Sequence, residues 1–92
     1  MKEIRVIRQV DEQQLDALGV RQWDIWTKEE SKFDWTYDSA ETCYFLKGDV
    51  EVTPDGGAPV TMGPGDLVTF PAGLSCTWHI RKAVRKHYRF ED

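Results

Sequence analysis

Ile4 and Val6 stand two apart, the spacing of one strand face, and predict a short opening strand. Asp11 then supplies an N-cap for a helical turn that carries Leu15 and Leu18 and stops at Gly19, where glycine tolerates the left-handed turn of a helix end. Beyond Gly19 the apolar positions fall in short runs rich in β-branched and aromatic residues. Residues 20–27, 33–37, 42–47, 49–53, 60–62, 67–70, 76–80 and 84–90 each read as a strand.

Turn chemistry separates these runs. Pro54-Asp55-Gly56-Gly57 predicts a hairpin turn, Gly63-Pro64-Gly65-Asp66 a second turn, and Pro71-Ala72-Gly73 a type II-like corner with Gly73 at positive φ. Short strands at this spacing predict an all-β barrel or sandwich. With 92 residues, no linker and no repeat, residues 1–92 read as a single domain.

A chain this short buries only ~60–65% of its unfolded surface, so its core must be rich in large side chains. Four Trp, four Phe and three Tyr meet that need. A net charge of -4 argues against a nucleic-acid partner, and the cations between Arg81 and Arg89 are spaced like one strand face. No apolar run approaches the ~20 residues of a membrane span, and no signal-peptide pattern opens the chain, so a cytoplasmic protein is expected. Cys43 and Cys76 form neither a disulfide framework nor a C-x-x-C motif and read first as buried thiols.

Two spaced motifs carry more. Gly65, five residues, Pro71, one residue, Gly73, two residues and then Cys76 resembles the second cupin motif, with cysteine where that motif has a metal-binding histidine. Glu41, six residues and Gly48 fits the second half of the first cupin motif, whose two histidine positions fall on Trp35 and Tyr37. The chain therefore resembles the cupins, and its finer pattern is similar to the small single-domain cupins grouped with the ureidoglycine aminohydrolase cupin domain. The resemblance implies a jelly-roll barrel, a homodimer, and no intact histidine metal triad; no cofactor is expected. It does not carry the aminohydrolase activity, whose enzymes have two cupin domains and a full ligand set.

Cupin ligand positions point into the barrel. Alternation then sends Trp35, Tyr37, Glu41, Cys43 and Phe45 inward, with Cys76 and Trp78 on a second strand and Val84, Lys86, Tyr88 and Phe90 on the last. His79, Arg85, His87 and Arg89 then face out, both histidines as exposed residues. The expected site is a polar cluster in an aromatic cup that binds a polar or carboxylate-bearing small molecule. Glu41 and Lys86 form a buried ion pair or act as acid/base and anion-binding groups, and Lys86 is also a candidate nucleophilic amine. Tyr37 and Tyr88 supply hydrogen bonds, and Trp35 and Trp78 the walls. Cys76, with Lys86 lowering its pKa, is a candidate nucleophile. Two alternatives remain at this level: Glu41 with Cys43 and Cys76 as a soft-metal site, or a barrel filled by its aromatics that acts through exposed residues such as Trp23.

Overall fold

The computed structural model describes residues 3–91. Its strands are β1 (Arg5–Ile7), β2 (Asp24–Lys28), β3 (Ser31–Thr36), β4 (Ala40–Pro54), β5 (Val60–Met62), β6 (Leu67–Phe70) and β7 (Ser75–Glu91), all paired antiparallel. Two of them organise the rest. β4 and β7 run side by side from Ala40–Glu91 to Pro54–Cys76, and the shorter strands flank them in pairs. β2 and β3 lie along successive parts of β7, while β6 and β5 do the same along β4, with β1 outside β6. Each long strand thus contributes to both halves of a folded-over sheet, which is an antiparallel jelly-roll barrel.

The expected strands 42–47 and 49–53 are one strand, and so are 76–80 and 84–90. Gly48 is the reason. It has φ +118°, and the β4–β7 register slips on both sides of it, so the strand bends without ending. A Cβ at this position would stand 2.8 Å from the Val84 Cα and 3.0 Å from the Ala83 carbonyl oxygen. Only glycine lets the two backbones approach so closely. The Pro71–Gly73 corner is present as expected, with Gly73 at φ +82° and Leu74 N–H bonded to Pro71 O at 3.3 Å. Its Gly73 N–H also reaches Tyr37 O, at 2.6 Å, while Tyr37 N–H reaches Leu74 O at 2.9 Å. The glycine positions of both motifs therefore shape the walls that carry the site.

The main core holds Phe45, Val50, Val52, Val68, Phe70, Ile80 and Val84 between the two halves. A smaller cluster of Val10, Leu15, Val20 and Leu67 forms where the helix α1 (Glu12–Leu18) lies against the outside of the barrel. Asp11 caps α1 through Gln14 N–H at 2.8 Å, and Gly19 ends it at φ +69°. The chain then makes a 3-10 turn, Val20–Gln22, so β2 starts at Asp24 rather than at residue 20. Burial of Val20 in the small cluster overrides its strand preference.

This covering layer corrects two expectations. His87 points outward from β7 but is buried, its Nδ1 3.1 Å from Trp23 O. A carbonyl only accepts, so Nδ1 carries the hydrogen. Trp23 itself is half-buried under the Arg89 guanidinium, which lies 4.6 Å from its ring centre. His79 is exposed, as alternation predicts. No helix among the described residues is long and apolar enough to cross a membrane.

Candidate functional site

The β4–β7–β2 pairing sets Phe45, Lys86 and Trp26 in one row, and the β4–β7–β3 pairing sets Val52, Trp78 and Phe33 in another. Where these rows face each other the barrel is open, leaving a cleft of about 550 Å³. Trp26, Phe33, Trp35, Trp78, Tyr88 and Phe90 wall it, with Tyr37, Glu41 and Lys86 also on its lining. The aromatics do not fill the lumen. Phe33 and Trp78 stack nearly parallel, 13° apart with centres at 6.1 Å, and Trp26 meets Trp78 edge-on at 6.0 Å. Trp35 and Phe90, expected to point inside, stand half exposed on the rim.

The floor is polar and closely bonded. Lys86 Nζ donates to Glu41 Oε2 at 2.8 Å and to Cys43 Sγ at 3.1 Å, and Cys43 Sγ donates to the same Glu41 oxygen at 2.8 Å. Glu41, Cys43 and Lys86 are each at most 5% exposed, so these bonds replace lost hydration. The ammonium also lies 4.8 Å from the Trp78 ring centre and 4.9 Å from that of Trp26, so aromatic faces supply the remaining attraction.

Charge states follow from this packing. Burial alone would pull the Lys86 pKa down, but the sulfur of Cys43 and the carboxylate of Glu41 more than reverse it, and Lys86 is held above the ordinary lysine value. Burial pushes the Cys43 thiol up against the opposing pull of Lys86, so Cys43 is neutral near pH 7, and the raised Lys86 is protonated there. An ammonium donates hydrogen bonds and attracts anions; it is not the free amine a nucleophile requires. Burial, then the nearby Glu41, Cys43 and Cys76, raises Tyr37 as well.

Cys76 is where the expectation and the structure part. It occupies the inner face beside Trp35, but its thiol donates to Trp35 O at 3.6 Å and it does not line the cleft. Burial pushes it up to about 11, with Asp55 adding to the rise, and Lys86 is not among the groups that perturb it. A protonated, buried thiol is a poor nucleophile. Nor do Cys43 and Cys76 converge on Glu41: among the described residues no three of His, Cys, Asp and Glu are grouped to hold a metal ion. The Trp78 indole N–H is buried with no aligned hydrogen-bond partner among the described residues, although it is near enough to Tyr37 and Cys76 to favour their ionised forms. Lys28, not among the site residues that alternation predicts, also lines the cleft, its Nζ 5.4 Å from the centre of the Phe33 ring. The signal was available: Lys28 lies two residues after Trp26 on the same strand face.

Residues 15–88 match the family described as the EutQ-like cupin domain. Among solved structures, a DUF861 family protein from Thermotoga maritima is 47% identical with a TM-score of 0.93, over 97% of this chain and 100% of that one. The EutQ protein of Clostridium difficile is 26% identical with a TM-score of 0.66, over 72% of this chain and 52% of its own. A putative ethanolamine utilization protein Q from Salmonella typhimurium, 24% identical with a TM-score of 0.65 over 72% of this chain and 53% of that one, shares the fold. The chain spans about half the length of these two EutQ proteins. No curated protein matched the chain.

Proposed function

The chain belongs to the EutQ-like cupin domain family, and from that premise we propose that its barrel binds a small organic molecule in the aromatic cleft above the Glu41–Lys86 pair. One observation carries this reading. A buried ion pair lies at the bottom of an open aromatic cleft whose volume falls within the ~300–1,000 Å³ of small-molecule sites. A barrel shaped for stability alone gains nothing from such a pair, since apolar side chains of similar volume are as stable or more so.

Trp35, Trp78 and Tyr88 supply apolar contact in this reading, and Lys86 and Glu41 hold polar groups of the ligand in one orientation. The ligand class is a polar or carboxylate-bearing metabolite. No chemical step is assigned, because the groups on the floor are already bonded to one another.

The four tryptophans make a direct test. Trp26, Trp35 and Trp78 line the cleft, whereas Trp23 lies outside it under Arg89. A library of small organic acids and polar fragments titrated against the four indole N–H signals in NMR is expected to shift the first three and leave Trp23 in place. Hits that move Trp23 alone, or a library that moves none of the cleft signals, would remove the reading.

A further inference from the structure

Four charged residues line the cleft: Lys28, Asp34, Glu41 and Lys86. Glu41 and Lys86 neutralise each other. Asp34 lies between Phe33 and Trp35 on β3, so its side chain falls on the opposite face, where its Oδ1 accepts the Thr77 hydroxyl at 2.9 Å. Thr77 is Asp34's partner across the β3–β7 ladder. Lys28 shares the inner face of β2 with Trp26, and among the described residues it forms no ion pair; its ammonium rests against the Phe33 ring. Among the described residues Lys28 is therefore the lining cation that no carboxylate pairs.

That cation stands at the edge of a flat apolar shelf. Phe33 lies under the Lys28 ammonium and stacks nearly parallel on Trp78, whose face in turn carries the Lys86 ammonium. The half-exposed rings of Trp35 and Phe90 also line the cleft. We propose that the cleft selects planar aromatic carboxylates, with Lys28 taking the carboxylate at the rim and the ligand ring lying among the aromatic walls. This rests on the cleft being a ligand site and names the class of ligand and the residue that sets it. An aliphatic acid satisfies Lys28 but leaves the rings wet; a neutral aromatic covers the rings but leaves the cation unpaired.

The test compares three probes on the wild-type chain, 1-naphthoate, 1-naphthamide and hexanoate, each titrated against the indole N–H signals of Trp26, Trp35 and Trp78. Naphthoate is expected to bind tightest. Lys28→Gln should weaken naphthoate by about tenfold, the scale of one charge-assisted hydrogen bond at a partly exposed rim, and leave naphthamide unchanged. Lys28→Arg, which keeps the cation, should restore most of the naphthoate affinity. Equal binding of hexanoate, or naphthoate affinity that ignores Lys28→Gln, would overturn the assignment while leaving the cleft a binding site. Failure of all three probes, together with silence from the wider fragment library, would overturn both.

Discussion

Removing an ammonium and a carboxylate from water costs several kcal/mol for each ion, and Lys86 and Glu41 recover this only while both are present. Lys86→Met should therefore destabilise the protein by about 3–5 kcal/mol, because it strands the Glu41 charge in an aromatic surrounding. Adding Glu41→Leu should return much of that loss, so the double variant is more stable than the sum of the single ones implies. Urea unfolding of the four proteins measures it, and strict additivity would refute the pairing. Alternation and motif spacing made this pair legible in the sequence, since both residues fell on inward positions. Cys43 as its third member was not legible. A cysteine two residues from a glutamate on one strand face has the same pattern whether its sulfur donates to that carboxylate or binds a metal beside it, and only the 2.8 Å contact decides.

Strand continuity depends on a single backbone approach. Gly48→Ala would place a Cβ against the Val84 backbone at a φ that side chains rarely adopt, and should destabilise by about 1–3 kcal/mol or more. Gly56→Ala is the comparison: it shares a positive φ of +74° but meets nothing within 4 Å, so only the backbone preference is lost, about 1 kcal/mol. Thermal unfolding of the two variants ranks them, and an equal loss would mean that the β4–β7 approach is not tight. The glycine was visible in the motif, but a sequence window cannot tell a bulge from a turn, so β4 reads as two strands; in β7 the charged pair Arg81-Lys82 interrupts the apolar pattern with the same result. The α1 layer shows the same limit. The Trp23 carbonyl that His87 bonds comes from a position far away in the chain, and alternation within 84–90 reports only which way a side chain points, not what covers it. Asp11→Ala should loosen this layer by about 1 kcal/mol, read as faster hydrogen exchange in α1 with the barrel amides unchanged.

At the scale of the whole molecule, four buried groups shift in one direction. Cys43, Cys76, Tyr37 and Lys86 are all raised from their ordinary values of 9.0, 9.0, 10.0 and 10.5. A raised group binds its proton more tightly in the folded state, so its contribution is complete below the unfolded pKa and is lost as pH rises toward the folded one. The stability should therefore be insensitive to these groups between pH 6 and 8. It should then fall from about pH 9, where the unfolded thiols begin to ionise, by about 1.4 kcal/mol per pH unit for each group that has titrated only in the unfolded state. Above about pH 11 Cys76 begins to ionise in the folded protein as well and its share of the slope ends. Cys43, held higher by its burial beside Glu41, continues. Urea midpoints measured from pH 7 to pH 11 test this, with Cys43→Ala as the diagnostic variant: its stability at pH 7 is lower, but its decline between pH 9 and 10.5 should be shallower than that of the wild type. A wild-type midpoint that stays level to pH 10.5 would mean that the thiols ionise in the fold as easily as in the open chain, and the closed, bonded floor under the cleft would have to be abandoned.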